Sequence, residues 1–177
     1  MTTNDPPRIA VSVCTFERND ELRRLLRSIE RAAQRASERA ALAVVIIDDN
    51  PDGRASNVAT EFEDTFELGI HYAHSGKQNI SIARNLGLAI AGPLGDWVAM
   101  LDDDVVVEDD WILEHLDLQA RTGADATTGP LVLTFPQGPE WLTNEPFHEI
   151  GLHVAEEDEQ VPECQTGNSM LRSSWLS

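Results

Sequence analysis

Apolar residues in this chain fall into short, nearly continuous runs, each followed by a stretch in which they recur every three or four positions. The first run is Arg8-Ile9-Ala10-Val11-Ser12-Val13-Cys14, and others lie at Leu42–Ile47, Gly69–Ala73, Trp97–Leu101 and Thr127–Phe135. Runs of this length predict strands, with those at residues 42–47 and 97–101 buried on both faces. Between them, Leu22, Leu25, Leu26, Ile29, Ala32, Ala33 and Ala36 share one face of a helix predicted from about Asn19 to Arg39. Further helices are predicted around Arg54–Phe66, over Ile80–Ala91 before the stop Gly92-Pro93, and over Asp109–Arg121. Ser81 is the expected cap of the helix at residues 80–91, which would put Arg84 in its first turn. Asp48-Asp49-Asn50-Pro51-Asp52-Gly53 is a turn signal at the end of the second run.

Strand and helix therefore alternate from residue 8 to about 121, which predicts an α/β fold with a mostly parallel sheet covered on both faces. After Phe135 the alternation stops. Pro136, Gly138, Pro139, Pro146, Gly151 and Pro162, with the acidic run Glu156–Glu159, predict an irregular segment before the strand-like Gln165–Leu171.

Composition narrows the classes. A formal net charge of −18 argues against general binding to nucleic acid. No stretch approaches the roughly 20 apolar residues that span a bilayer. MTTNDPPR lacks the basic and apolar regions of a secretion signal, and Cys14 and Cys164 are too few for a disulfide framework. These features predict a reduced, cytoplasmic protein. Seven of the thirteen basic residues lie between Arg18 and Arg39. Arg23, Arg27, Arg31, Arg35 and Arg39 form a stripe that is either solvated or in contact with an anionic lipid surface, which would put the protein at the inner membrane face.

The sharpest chemical signal is Asp102-Asp103-Asp104, which ends the apolar run at Leu101. In open α/β sheets ligands bind at the carboxyl ends of the strands. Three adjacent carboxylates repel unless a positive charge lies among them. Mg²⁺ or Mn²⁺ would supply it and would also bind the phosphates of a nucleotide. Two further strand ends, Thr15-Phe16-Glu17-Arg18 and Asp48-Asp49, converge on the same edge, with Asn79–Asn85 as a fourth contributor.

In order and spacing, VSVCTFER, VVIIDDNPDG, NISIARNLGLAIA, WVAMLDDDVVVEDDWI and GPLVLTFP resemble the family 2 glycosyltransferases. QNISIARN, GADATTGPLVLTFP and TGNSML resemble its succinoglycan-type exopolysaccharide subgroup. The resemblance covers about residues 8–172. It implies the GT-A fold, with residues 1–135 binding a nucleotide-sugar donor and 136–177 forming a partial acceptor-side region. It implies that Thr15, Phe16 and Glu17 hold the nucleoside, Asp49 the base, and Arg84 the base or diphosphate. Asp102 and Asp104 are then the acids of a DxD motif: Asp102 binds ribose, Asp104 coordinates the metal, and Asp103 assists. The implied reaction is displacement at an anomeric carbon, with inversion, from a UDP-sugar to a saccharide or lipid-linked saccharide. The family's usual catalytic base lies in an acidic motif beyond the segment matching TGNSML. The expectation is that it falls beyond Ser177, leaving Glu140, Glu145 and Glu149 as weak candidates.

Two other readings are open on sequence alone. A module that binds nucleotide-sugar without catalysis needs only the donor half. A haloacid-dehalogenase-type phosphatase would use an acid of the Asp102–Asp104 group as nucleophile, although that motif belongs on a first strand with a lysine downstream. No lysine follows Lys77 here.

Overall fold

The computed structural model describes residues 5–132 and 159–176. Glu140, Glu145 and Glu149 lie outside the described residues, as does the end of the strand expected to reach Phe135. The described elements are β1 (Arg8–Thr15), α1 (Asn19–Arg35), β2 (Ala41–Asp48), α2 (Ser56–Glu61), β3 (Ile70–His74), α3 (Ile80–Ala91), β4 (Trp97–Asp102), α4 (Trp111–Thr122), β5 (Ala126–Thr128) and β6 (Asn168–Arg172). Short 3-10 turns follow α3 and β6.

Six strands form one sheet in the order β3-β2-β1-β4-β6-β5. The first four are parallel, whereas β6 runs antiparallel to both β4 and β5. The parallel part follows from the alternation of strand and crossover helix. The order reverses direction beside β1: the chain steps outward through β2 and β3, then crosses back to place β4 on the other side. The order thus switches beside β1, and in open α/β sheets ligands bind at such a point on the carboxyl edge.

The two faces of the sheet have different side chains. Ile9, Val11, Val13, Val44, Ile46, Ala99 and Leu101 pack with Leu22, Leu25, Leu26 and Ile29 of α1 and Ile112 of α4. Ala10, Val45, Ile47 and Val98 meet Ala83 and Ala91 of α3 on the other face. The second face is built from smaller groups because α3 lies close to it. A Cβ at Gly87 would lie 2.4 Å from Ser12 Oγ and 3.3 Å from Ile47 Cγ1. Gly87 thus sets the depth of the helix that carries Arg84.

α1, α2 and α4 are shorter than their sequence patterns, whereas α3 spans the residues expected. α1 ends at Arg35, and the amides of Ala36, Arg39 and Ala40 close turns onto Ala32 and Ala36 instead of continuing to Arg39. α4 starts at Trp111, two residues after Asp109. β5 spans three residues, because Gly129 and Pro130 end it. The arginine stripe of α1 meets acids of its neighbours: Arg23 pairs with Glu61, Arg31 with Asp109, Arg35 with Asp110 and Arg39 with Asp117. These pairs tie α1 to α2 and to the turn before α4, with Arg39, just past α1, reaching α4 itself; as exposed ion pairs each contributes little to stability. No helix among the described residues is long and apolar enough to cross a membrane.

Candidate functional site

β1 and β4 are in register with Cys14 opposite Asp102, so the Thr15–Arg18 loop and the three aspartates leave the sheet side by side. The three carboxylates have different surroundings. Asp103 is buried: its Oδ2 accepts from Thr15 Oγ1 at 2.8 Å and its Oδ1 from Arg18 Nη1 at 3.1 Å. Burial raises its pKa, against the lowering effect of Thr15 and Arg18. Asp104 is half exposed and accepts from the same Arg18 nitrogen at 2.7 Å. Asp102 accepts from Arg84 Nη2 at 2.9 Å.

The charge conflict read from sequence is therefore relieved here by two arginines. The sequence points to Arg84 near the site, but marks Arg18 only as part of a strand end. The signal that could have found it is its place at the end of β1, in the loop facing the acids. Asp103 points inward and ties the β1 loop to the β4 loop, while Asp102 and Asp104 remain at the surface.

The end of β2 supplies a second pair of acids with divided duties. Asp48 is 1% exposed. It accepts from Asn50 N at 2.9 Å, Ala55 N at 2.6 Å and Tyr72 Oη at 3.0 Å. Burial and that carboxylate push the Tyr72 pKa up to about 12. Asp49 faces the other way: its Oδ1 accepts from Ser75 Oγ and from Lys77 N at 3.0 Å. Asn50, noted in sequence only as a turn residue, is the buried link between loops. Its Nδ2 donates to Glu17 Oε1 at 3.0 Å, its Oδ1 accepts from Asp52 N, and its carbonyl accepts from His74 Nε2. Glu17, with φ +56°, is thereby held across from Asp49's loop.

α3 is capped by Asn79, not by Ser81: Asn79 Oδ1 accepts from the amides of Ser81 and Ile82 at 3.0 and 3.2 Å. The asparagine carboxamide, two residues before Ser81, reaches both orphan amides. Arg84 consequently sits two residues further into the helix, as its fifth residue, where it reaches Asp102. Cys14 lines a narrow cleft with Arg84, Asp102 and Thr166. Burial pushes its thiol up to about 12, so it stays a neutral thiol. Phe16 is exposed at the rim.

The far wall is a polar cluster that sequence reading missed. Asn168 Oδ1 accepts from Trp111 Nε1 at 2.8 Å and lies 3.1 Å from His115 Nε2, while its Nδ2 donates to Pro130 O at 3.0 Å. His115 Nδ1 lies 2.7 Å from Thr127 Oγ1. The amide orientation of Asn168 requires a proton on Nε2, which leaves Nδ1 to accept from Thr127 in a neutral ring. Next to Asn168, a Cβ at Gly167 would lie 3.1 Å from Asp102 Oδ2 and 3.0 Å from Leu131 Cδ1. The cluster thus seats the start of β6 against Asp102.

Burial lowers the His115 pKa from its ordinary 6.5. The unfolded chain then binds a proton that the folded chain refuses, so the contribution of His115 is complete above about pH 6.5 and is lost as pH falls below it. The stability gap between wild type and His115→Gln is expected to narrow from pH 7.5 to 5.5, by less than about 1.4 kcal/mol per pH unit. Urea unfolding at several pH values checks this, and a constant gap would contradict it.

The model of the glycosyl transferase family 2 matches residues 10–177. The chain belongs to this family. The succinoglycan biosynthesis protein ExoM of Rhizobium meliloti is 36% identical over 146 residues, covering 82% of this chain and 46% of ExoM. A glucosyl-dolichyl phosphate glucuronosyltransferase of Haloferax volcanii is 27% identical over 141 residues, covering 78% of this chain and 41% of that protein. The chain thus spans less than half the length of these relatives. Among solved structures, S. aureus TarS 1-349 in complex with UDP superposes with a TM-score of 0.67 at 14% identity, covering 96% of this chain and 48% of that one. A mannosyltransferase from Pyrobaculum calidifontis in complex with GDP-Man and Mn²⁺ gives 0.66 at 18%, covering 96% and 45%. These likenesses show the GT-A fold. The family assignment sets the phosphatase reading aside.

Proposed function

We propose that this family 2 chain binds a nucleotide-sugar donor at the carboxyl ends of β1 and β4 and serves sugar transfer to a saccharide or lipid-linked saccharide in polysaccharide or glycoconjugate synthesis. The observation that carries this reading is the meeting of three strand ends, Thr15–Arg18, Asp48–Asp49 and Asp102–Asp104, with Arg84 at one sheet edge. ExoM, by its name a succinoglycan biosynthesis protein, supports the polysaccharide setting. TarS with UDP-GlcNAc and the mannosyltransferase with GDP-Man support the donor class. A UDP-sugar is the first candidate.

The residues present fit a divalent cation. Asp102 and Asp104 offer hard carboxylate oxygens at half-exposed positions, two residues apart at the strand end. Among the described residues no three acidic, histidine or cysteine side chains group to hold an ion by themselves. Mg²⁺ ordinarily uses one or two carboxylates and takes its other ligands from substrate phosphates and water. Asp104 would hold the ion, with Asp102 beside it, and the ion would stabilise charge developing on the departing nucleoside diphosphate. Arg84, held against Asp102, would add a fixed positive charge on the diphosphate side. Asp49 would accept from the base, and the Thr15–Glu17 loop would border the nucleoside. With these groups pre-positioned, the anomeric carbon would face the acceptor with its leaving group already polarised.

Asp49→Ala is expected to weaken nucleoside diphosphate binding about tenfold while leaving its metal dependence intact, since one acceptor to the base is lost. Calorimetry with and without Mn²⁺ checks this, and loss of metal dependence with unchanged nucleotide affinity would exchange the roles of Asp49 and the β4 acids. The reading as a whole is tested by melting the protein with UDP, GDP, UDP-sugars and GDP-Man, each with Mn²⁺ or EDTA. A selective ligand at 100 times its Kd is expected to stabilise the fold by about 2.7 kcal/mol. A flat panel would overturn the reading.

A further inference from the structure

Arg18 touches the acids in an asymmetric way. Its single nitrogen Nη1 bridges Asp103 Oδ1 at 3.1 Å and Asp104 Oδ2 at 2.7 Å. The Asp103 side chain is 7% exposed and is anchored on its other oxygen by Thr15. That carboxylate cannot turn to a ligand without stranding a buried hydroxyl. Asp104 is 50% exposed, as is Arg18 at 52%, so this half of the bridge lies open to solvent. One end of the bridge is a fixed anchor and the other is exchangeable.

Resting on the metal–nucleotide reading above, we propose that Arg18 is a built-in counter-cation that competes with the divalent ion for Asp104. An ion arriving alone must displace a hydrogen-bonded cation or settle beside one. An ion arriving with a diphosphate brings negative charge that offers the guanidinium a new partner, while Asp103 keeps the arginine close by. Arg18 therefore weakens binding of the bare ion and makes metal and diphosphate depend on one another. Such coupling is reciprocal: each ligand raises the affinity of the other by the same factor. The contact is exposed at its Asp104 end, so its loss disturbs the fold little. A unit charge removed from beside the ion at this range changes its binding by roughly fivefold to tenfold.

The test is a titration of Mn²⁺, followed by the paramagnetic resonance of the free ion, into wild type, Arg18→Gln, Arg18→Met and Asp104→Asn. Each is measured without nucleotide and then with saturating UDP or GDP, and each variant is melted to establish that it is folded. Arg18→Gln and Arg18→Met are expected to bind bare Mn²⁺ about fivefold to tenfold more tightly than wild type and to gain less from the nucleotide. Asp104→Asn is expected to lose bare Mn²⁺ binding. Affinity for bare Mn²⁺ that is unchanged or weaker in both Arg18 variants, with Asp104→Asn still losing the ion, would overturn the role of Arg18 and leave the metal site standing. Mn²⁺ binding that survives in Asp104→Asn would overturn the metal assignment, and the competition with it.

Discussion

Asp104→Ala is expected to abolish the Mn²⁺-dependent part of nucleoside diphosphate binding and to lower sugar transfer by on the order of 10²–10³-fold or more. The reason lies in how the three acids are shared out. Asp103 is spent on Thr15 and Arg18, and Asp102 is engaged by Arg84. Asp104 is the acid whose one partner among the described residues is a solvent-facing arginine. Its removal takes away the proposed ligand to the ion and leaves Arg18 on Asp103, so the β1 loop keeps its position. The variant should therefore melt close to wild type, within about 1 kcal/mol in stability. Calorimetry with and without Mn²⁺ separates the two effects: metal-independent affinity persists and the metal-dependent increment disappears. Unchanged affinity in the presence of Mn²⁺ would remove Asp104 from the metal site.

Asp48→Ala is expected to act on the fold instead, costing about 3 kcal/mol or more and lowering the melting temperature by roughly 6–12 °C. Asp48 and Asp49 are neighbours of the same charge and both are buried, but Asp48 accepts two backbone amides and a tyrosine hydroxyl at the turn, whereas Asp49 accepts from Ser75 Oγ and Lys77 N. Alanine strands the amides of Asn50 and Ala55 in a dry site. Because Asn50 in turn holds Glu17 and His74, nucleotide binding should fall together with stability. Thermal and urea unfolding check the first effect. A variant that melts like wild type would show that the turn after β2 is held by something other than this carboxylate.

This contrast between neighbours marks what the sequence could disclose. The parallel half of the sheet was legible because β1, β2 and β4 are largely buried and stand out as apolar runs, and α3 was predicted with its observed bounds of Ile80 and Ala91. The convergence of the Thr15, Asp49, Arg84 and Asp102–Asp104 segments followed from the rule that such strand ends share an edge. Direction within that edge was not legible. A run of three aspartates does not say which one turns inward, and that depends on Thr15 and Arg18, some 85 residues away in the chain. Nor did any pattern join Trp111, His115, Thr127 and Asn168. Their hydrogen bonds cross from α4 to β5 and β6, and β6 enters the sheet antiparallel, outside the βα alternation. Cap positions failed for a local reason: Asn79 and Ser81 both favour a helix start, and only the backbone decides between them.

On this reading metal and nucleotide meet at the adjacent carboxyl ends of β1 and β4. The most direct measurement is a pair of ¹H–¹⁵N correlation spectra of the labelled protein, one with UDP and Mg²⁺ and one with UDP and a trace of Mn²⁺. Paramagnetic broadening is expected to fall first on the amides of Asp102, Asp103 and Asp104, then on Thr15–Arg18 and Arg84, and to spare the opposite sheet edge around Pro7, Ala41 and Gly95. Broadening centred elsewhere, or resonances of Asp102–Asp104 unaffected while UDP is bound, would contradict the account.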